Sequence, residues 1–366
     1  MIKAAIIGCG KIADEHASLM ATLPDCAIVG VCDREELMAK QLAERYRVGR
    51  HFVDAHAMLE EVQPDVVHIT TPPQSHFSLG SLCLETGAHV FLEKPFTVTA
   101  QEAESLIDLA RRKDRMVTVG HNNQFSHESM EMRELVEAGF LGGPPIHMES
   151  CFPYGLKDPY GQALLGDRNH WVRALPGKLL HNVISHPVSK IAEFMPDPSP
   201  IVTAVGYTSP YLREMGHGDV VDELRVIIQS TDRTVSAYLT FSSQIGPPMF
   251  QFRLYGPENS LVLDHNQRTL IQLRKADART SYLNHFIAPR VHARKYLANA
   301  SRNISRFLRR DFHMDYGRRQ LVRRFYRATQ GKGPEPIPYR EIILTARIMD
   351  TIFEQINGTY PGGTPI

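Results

Sequence analysis

Cysteine and tryptophan are scarce in this chain of 366 residues, with five of the first and one of the second. An odd, small cysteine count in a long chain argues against a disulfide framework and for reduced thiols in a cytoplasmic protein. No C-x-x-C pair offers zinc-ligand spacing. The 17 histidines offer none either, since His181 and His186 lie five apart, off the i, i+4 register. No apolar run approaches the roughly 18–20 residues that a membrane-spanning helix requires. The N-terminus carries one Lys before a short apolar run that enters a glycine turn, which predicts a first strand and not a signal peptide. Internal repeats and low-complexity tracts are lacking too. Hydrophobic residues at 43% and charged residues at 22% exclude wholesale disorder, collagen and coiled coil.

Net charge is nearly absent overall, at +1, but not locally. Residues 271–330 hold 15 Lys and Arg against three acidic residues, so the remainder of the chain is net acidic. A basic block on an acidic protein calls for its own explanation.

At roughly 100–200 residues per domain, the length predicts two domains. Up to about residue 120, apolar runs at 2–7, 27–32, 66–70, 90–92 and 116–119 alternate with helix-patterned stretches at 11–22, 35–45, 55–61, 75–86 and 100–112. Runs that short and that apolar suit strands buried on both faces of a parallel sheet. Thr99 followed by Glu102 is a capping box for the last helix. Residues 1–122 are therefore expected to form an α/β, doubly wound domain. Beyond 123 the pattern changes. A helix at 128–138 precedes strand-like segments at 146–152, 201–207, 223–229, 234–241, 250–255 and 260–264, interrupted by one helix at 178–194. Two helices, 316–329 and 339–355, close the chain. Residues 123–366 thus read as an α+β domain on a mostly antiparallel, open sheet, with a basic helical insertion at about 275–315.

Gly8-Cys9-Gly10-Lys11-Ile12-Ala13 has the form G-x-G-x-x-A between a strand and a helix. The first glycine permits the turn, the second admits a diphosphate, and Ala13 lets helix and strand approach closely. The diphosphate would rest on the helix N-terminus at Gly8, Gly10, Lys11 and Ile12. Asp33 follows Gly10 by 23 residues, at the end of the second apolar run. Its carboxylate suits the two ribose hydroxyls of NAD and repels the 2′-phosphate of NADP, a repulsion that neighbouring Arg34 softens. NAD is the expected cofactor; the alternative is a plain glycine turn in an unliganded fold. Thr70 to His76 lies at the carboxyl edge of the sheet, either lining a ligand or as a proline-rich loop capped by Ser75. Glu93-Lys94-Pro95 lies at the same edge. Lys94 beside a nicotinamide could hydrogen-bond a substrate hydroxyl and help remove its proton; standing alone, the tripeptide reads better as a surface Lys in a strand-to-loop turn.

Taken together, Gly8-x-Gly10-x-x-Ala13, Thr71-Pro72 with His76, Glu93-Lys94-Pro95 and Gly120-His121-Asn122 resemble the glucose–fructose oxidoreductase, inositol dehydrogenase and MocA family in order and spacing. Tyr255-Gly256 and Ser260-Leu261 resemble a strand pair of its second domain. The resemblance spans nearly the whole chain except about 275–315. It implies a Rossmann domain followed by an α+β domain whose open sheet packs in homo-oligomers, dimers or tetramers. It implies nicotinamide-dependent oxidation or reduction at a hydroxyl of a sugar, cyclitol or nucleotide sugar. Thr71, Pro72, His76, Glu93, Lys94 and Asn122 join the cofactor contacts by the same carry-over.

The family usually carries Asp-x-Gly-x-His on the first long helix of its second domain; here the stretch is Asn182-Val183-Ile184-Ser185-His186. His186 matches the family's base, and an imidazole with a pKa near ~6.5 suits proton transfer at neutral pH. Asn182 can orient an oxygen but cannot stabilise an imidazolium as a carboxylate does. Ile184 and Ser189 replace the family's Gly and a later Asp, Gln124 stands where Arg is frequent, and Pro187 marks a first turn or a kink. Trp171 resembles a family loop on which a sugar ring could stack, with Arg173 or Lys178 near a phosphate; loop anchoring is the alternative. Tyr154, Lys157 and Tyr160 are further pocket candidates.

On a helical wheel over 285–312, Ala293, Leu297, Ala300, Ile304, Phe307 and Leu308 gather on one face, with Arg294, Lys295, Arg302, Arg306, Arg309 and Arg310 opposite. This helix is expected to pack on its own domain or on another subunit. The alternative is contact with an anionic membrane surface or a lipid-diphosphate-linked sugar. No module for nucleic acid accompanies the charge. The leading functional expectation is a hydride-transferring oxidoreductase using Lys94 and His186, with Asn182 orienting; no metal is expected. Redox-assisted glycoside cleavage and a non-catalytic NAD-binding sensor or scaffold are the alternatives.

Overall fold

The computed structural model describes residues 1–157, 159–247, 249–275, 283–313 and 315–358, apart from the Asn284 side chain. Of the expected insertion, 276–282 and 314 lie outside the described residues. The chain divides into two compact units: Met1–His121 with Leu321–Ala346, and Asn122–Gln320 with Arg347–Ile366.

In unit 1, strands β1 (Ile2–Ile7), β2 (Cys26–Cys32), β3 (His51–Phe52), β4 (Val66–Ile69), β5 (His89–Leu92) and β6 (Val117–Val119) form one sheet in the order β3-β2-β1-β4-β5-β6. Every pairing is parallel. Helices α1 (Lys11–Met20), α2 (Glu36–Tyr46), α3 (Ala55–Val62), α4 (His76–Glu85) and α5 (Ala100–Arg112) alternate with the strands. The strands are mostly apolar because helices cover both faces: Ala4, Ala5, Ile6, Val67, Ile69, Val90 and Phe91 have no accessible surface. The chain order reverses between β1 and β4, the switch point at which open α/β sheets bind ligands. Register sharpens this. Ile7 lies opposite both Cys32 and Ile69, and Ile69 opposite Leu92, so four strands end level. The residues that follow them, Gly8, Asp33, Thr70 and Glu93, share one edge.

Unit 2 opens with α6 (His127–Glu137), β7 (His147–Pro153), α7 (Pro159–Gly166), α8 (Lys178–Val183) and α9 (Ser185–Phe194). There follow β8 (Ile201–Tyr207), α10 (Pro210–Glu214), β9 (Glu223–Gln229), β10 (Ser236–Ser242), β11 (Gln251–Tyr255), β12 (Asn259–Asp264) and β13 (Thr269–Arg274). The sheet runs β13-β12-β11-β7-β10-β9-β8. It is antiparallel except where β10 lies parallel to β7, which the reading of consecutive antiparallel strands did not anticipate. Alternation along β8 to β11 buries Val202, Ala204, Val226, Ile228, Ala237, Leu239, Phe252 and Leu254, and leaves Ile201, Val205, Ile227 and Tyr238 on the open face.

The helix expected over 178–194 is two helices. Pro187 is the third residue of α9, where its missing N–H has no helical partner to lose. Helix α11 (Asn284–Leu308) is the basic amphipathic helix, and the chain closes with α12 (Tyr316–Thr329) and α13 (Tyr339–Asn357). The apolar face of α11 does not pack on its own domain: Leu297, Ile304, Phe307 and Leu308 are exposed, and polar side chains make the contact instead. Leu321–Ala346, read from sequence as part of the second domain, belongs to unit 1. The reason is packing: Phe325 meets Phe91 edge-on at 5.7 Å, and the Tyr339 hydroxyl accepts from the Val117 N–H at 3.2 Å.

Candidate active site

Because β1 and β2 end level, the turn after β1 closes onto the residue after β2. The Gly8 N–H donates to the Cys32 carbonyl at 2.8 Å. The Cys9 N–H donates to Asp33 Oδ2 at 2.6 Å, and the Glu35 N–H to Oδ1 at 3.0 Å. Two backbone donors thus fix the Asp33 carboxylate while leaving lone pairs for a further donor. Gly8 has φ +92°, and a Cβ there would stand 2.8 Å from the Thr71 nitrogen, so no side chain fits. Gly10 is the opposite case: a Cβ would meet nothing within 4 Å. Gly10 begins α1 without a capping side chain, which leaves the first-turn N–H groups and the positive end of the helix turned to open space. Beside it lies a hollow of about 200 Å³ lined by Cys9, Gly10, Lys11, Met38 and Gln41. The α1 N-terminus could hold the diphosphate of a dinucleotide here, and Asp33 a ribose diol. Ile12 is half-buried, while Lys11 and Arg34 are exposed. Burial and the Asp33 charge push the Cys9 thiol up to about 12, so it stays protonated.

Two loops at the same edge are tied together. Thr70 Oγ1 donates to the Gly8 carbonyl at 2.5 Å, and Ser75 Oγ to Thr71 Oγ1 at 2.7 Å. His76 is fully buried. Its ring nitrogens lie 2.9 Å from the Thr71 carbonyl and 3.0 Å from the Pro95 carbonyl. Burial holds its pKa below the ordinary value, so the ring is neutral and donates to one carbonyl at a time. His76 therefore braces the Thr71 and Pro95 loops; Thr71 is half-buried and Pro72 exposed.

Behind Lys94 runs a buried chain of hydrogen bonds that sequence reading missed. Glu93 Oε1 lies 2.9 Å from His16 Nε2, His16 Nδ1 lies 2.7 Å from His68 Nδ1, and His68 Nε2 lies 3.0 Å from the Tyr326 hydroxyl. Cys26 Sγ is 3.9 Å from that hydroxyl. Burial and the neighbouring His16 keep His68 neutral, and burial keeps Tyr326 protonated. One assignment of protons, made from the network, then satisfies every link: Cys26 to Tyr326, Tyr326 to His68, His68 to His16, and His16 to Glu93. Burial raises the Glu93 carboxyl, but the His16 N–H, the Lys94 charge and the Lys94 backbone N–H outweigh it and hold it below the usual value. Gly120 is needed here, since a Cβ would stand 3.0 Å from Glu93 Oε1. Lys94 is half-buried. Burial lowers its ammonium pKa, and Glu93 opposes that, so the group is brought nearer to exchanging a proton at moderate pH. Burial takes His121 down to about 3, leaving a neutral ring beside the pair. The available signal for this chain was His68 itself, a histidine within a four-residue strand buried throughout.

In unit 2, Asn182 lies in the last turn of α8 and His186 in the first turn of α9. Ile184 between them keeps a right-handed backbone (φ −78°, ψ −7°), so the four-residue spacing survives the break. His186 is half-buried. Asn182 Nδ2 donates to the Tyr160 hydroxyl at 2.5 Å. Tyr160 leads to an aromatic group: Tyr154 at 6.4 Å and His170 at 6.1 Å, with His170 stacked on Trp171 at 5.5 Å. Asn182, Tyr160, Tyr154 and Trp171 are thus brought together. Gln124 is buried and donates to the Ser189 carbonyl at 3.1 Å, which anchors α9; Asn122 opens the same turn, half-buried. His181 faces away, stacked on Phe353 at 4.7 Å.

Arg173 and Lys178, expected near a phosphate, are held by Asp219. Arg173 donates to Asp219 at 3.0 and 3.2 Å, and the Lys178 ammonium donates to Asp219 Oδ2 at 3.1 Å and to its carbonyl at 2.8 Å. Both cations converge on one carboxylate, which offsets one of their two charges. Among the described residues, no group of three or more His, Cys, Asp or Glu side chains could hold a metal ion, and no helix is long and apolar enough to cross a membrane.

Comparison with known proteins agrees with this edge. Residues 2–121 match the model of the GFO_IDH_MocA oxidoreductase family, NAD-binding Rossmann fold. Over these residues the chain is similar to this glucose–fructose oxidoreductase, inositol dehydrogenase and MocA family. The D-glucoside 3-dehydrogenase of Escherichia coli is 37% identical over 142 residues, which is 38% of this chain and 40% of that protein. The UDP-N-acetylglucosamine 3-dehydrogenase of Acidithiobacillus ferrooxidans is 32% identical over 149 residues, 41% of this chain and 44% of that protein. The chain therefore matches well under half the length of these relatives in sequence. In structure the likeness extends further: the Acidithiobacillus enzyme superposes with a TM-score of 0.70 at 19% identity, covering 97% of each chain. The WlbA dehydrogenase of Bordetella pertussis, solved with NADH and UDP-GlcNAcA, gives 0.71 at 13% identity over 97% of this chain and 96% of that one. At those identities the likeness speaks for the fold alone.

Proposed function

We propose that the chain is an NAD-dependent oxidoreductase acting on a hydroxyl-bearing carbon of a sugar or nucleotide sugar. NAD, when bound, supplies the hydride acceptor or donor. Gly8, Gly10, the α1 N-terminus and Asp33 hold it, and the fixed Asp33 carboxylate favours NAD over NADP. Lys94 hydrogen-bonds the reacting hydroxyl, and its lowered pKa suits it to share that proton. His186 is the acid–base partner by the family resemblance, with Asn182 orienting an oxygen through its link to Tyr160. The aromatic group of Tyr154, Tyr160 and Trp171 suits the apolar face of a sugar ring. Homologous dehydrogenases acting on glucosides and on UDP-N-acetylglucosamine support the substrate class. The open sheet face, with Ile201, Val205, Ile227 and Tyr238 exposed, supports a homo-oligomer.

The observation that carries this reading is the level edge at which the Asp33 carboxylate, the uncapped α1 N-terminus and the Glu93–Lys94 pair follow neighbouring strands. The test is a nicotinamide absorbance assay over a panel of sugars and nucleotide sugars. Asp33→Ala should weaken NAD binding by at least about tenfold, a loss of about 1.4 kcal/mol. Lys94→Ala should keep NAD affinity and lose about 10²-fold or more in kcat. Full turnover in both Lys94→Ala and His186→Ala overturns the assignment, and release of a free sugar without net NADH would replace dehydrogenation by redox-assisted cleavage.

A further inference from the structure

Helix α11 is mounted the wrong way round for a helix that only completes a core. Asn284–Leu308 contains no acidic residue and carries Arg290, Arg294, Lys295, Arg302 and Arg306, with Arg309 and Arg310 directly after it. Its polar side faces the protein. The Asn299 side chain accepts from the Leu270 N–H at 3.1 Å and donates to the Leu270 carbonyl at 3.2 Å. One turn earlier Lys295 donates to the Gln272 carbonyl, and one turn later Asn303 donates to the Gln267 carbonyl at 3.2 Å. Arg302 pairs with Glu131 at 2.9 Å. Residues four apart share a helix face, so 295, 299 and 303 form one polar seam along β13, an edge strand of the sheet. That seam satisfies backbone groups of an edge that would otherwise lie open.

The opposite side is apolar and turned to solvent. Phe286 is 60% exposed, Leu297 67%, Ile304 60%, Phe307 68% and Leu308 75%. At about 1.5 Å per residue, the 25-residue helix carries this stripe over about 37 Å. Arg290 and Arg294 lie beside it, and Arg309 and Arg310 stand at its end. An apolar stripe of that length whose charged neighbours on the helix are all cations has a definite complement: a surface that accepts Phe and Leu side chains and carries negative charge at its border. A second copy docked on the same stripe about a two-fold axis would set those arginines against one another.

We propose that α11 seats the protein on an anionic lipid bilayer, with Phe286, Leu297, Ile304, Phe307 and Leu308 entering the headgroup boundary and Arg290, Arg294, Arg309 and Arg310 meeting lipid phosphates. The inference stands apart from the oxidoreductase chemistry, because vesicle binding needs no turnover.

The test is flotation of the full chain with vesicles of phosphatidylcholine alone or with roughly a third phosphatidylglycerol. The wild type should float with the anionic vesicles only, and added salt should release it. Leu297→Ser, Ile304→Ser and Phe307→Ser together should weaken binding by about tenfold or more. Arg290→Gln with Arg294→Gln should weaken it and flatten its salt dependence. All five positions are exposed or helix-surface sites, and unchanged circular dichroism and melting would show that the variants fold. Absence of flotation, or flotation untouched by the apolar substitutions, overturns the proposal. So does sedimentation showing that the wild type pairs through this stripe and that the apolar substitutions separate the copies.

Discussion

Removing one oxygen atom from the buried chain tests whether it is a connected unit. Tyr326→Phe keeps the ring that packs against Phe325 and His68, and deletes only the hydroxyl that donates to His68 Nε2 at 3.0 Å. His68 is fully buried and neutral, so its Nε2 becomes an acceptor without a donor in a place water does not reach. The lost bond together with the stranded acceptor costs about 1–3 kcal/mol. At about 2–4 °C of melting temperature per kcal/mol, Tyr326→Phe should melt roughly 2–12 °C lower. The same hydroxyl lies within reach of Cys26, whose thiol is itself pushed up by burial, so the variant loses nothing further in charge. Coupling is the sharper measurement. In a double-mutant cycle of Tyr326→Phe with His68→Leu, the pair should fall short of the summed single effects by about 1 kcal/mol, because the second substitution removes the group the first had stranded. The assay is denaturant or thermal unfolding followed by circular dichroism on the four proteins. A Tyr326→Phe protein as stable as wild type, or a cycle that is additive, would refute the directional chain.

Gly8→Ala should cripple dinucleotide binding in an otherwise folded protein, measured by calorimetry with NAD. The new Cβ meets the Thr71 backbone at 2.8 Å and forces a side chain into φ +92°, a strain of about 1–2 kcal/mol before any clash is counted. Burial would raise the Asp219 carboxyl, but Lys178 and Arg173 outweigh it and hold it below the ordinary value. A carboxyl lowered in the folded state stabilises above its unfolded pKa and loses that contribution as pH falls through its folded one. Asp219→Asn should therefore cost stability at neutral pH, less than about 1 kcal/mol because the carboxylate is 46% exposed, and the difference should close below about pH 4. A destabilisation that persists unchanged in acid would show that the pair contributes nothing through charge.

Unit 1 was largely legible in the sequence, because its site depends on backbone requirements. A glycine that must adopt φ +92° and an aspartate at the end of a strand leave marks in single positions, and apolar runs buried on two faces mark the strands. What escaped depends on distance along the chain. His68 and Tyr326 are separated by 258 positions, and no local pattern joins them. The strand order that puts β10 parallel to β7 is equally non-local, as is the return of Leu321–Ala346 to unit 1. The two-residue strand β3 is too short to show a period. In unit 2, Arg173 and Lys178 read as phosphate ligands because sequence displays cations without their partners; Asp219 is 46 residues from the first and 41 from the second. The α11 wheel found the apolar face but set Arg294 opposite it, where it lies beside the stripe, and a wheel has no way to say which side turns inward. Asn299 and Asn303 decide that, by bonding the backbone beside β13.

The departures from the family pattern cluster on α8 and α9, and Asn182 is the one that bears on proton handling. His186 lies in the first turn of α9, where the helix N-terminus disfavours an added positive charge. An amide at 182 cannot offset that; a carboxylate can. Asn182→Asp should keep its link to Tyr160, since the phenol can donate to a carboxylate where it now accepts from the amide at 2.5 Å. The new charge favours the imidazolium, so the midpoint at which His186 loses its proton should rise. Nuclear magnetic resonance of the His186 ring follows this in the protein without substrate. With a turned-over sugar, the acidic limb of kcat/KM for oxidation should move upward by the same amount, lowering the rate in mild acid. A ring resonance that moves while the kinetic limb stays fixed would show that His186 ionises without serving as the base, and the acid–base role would then rest on Lys94 alone.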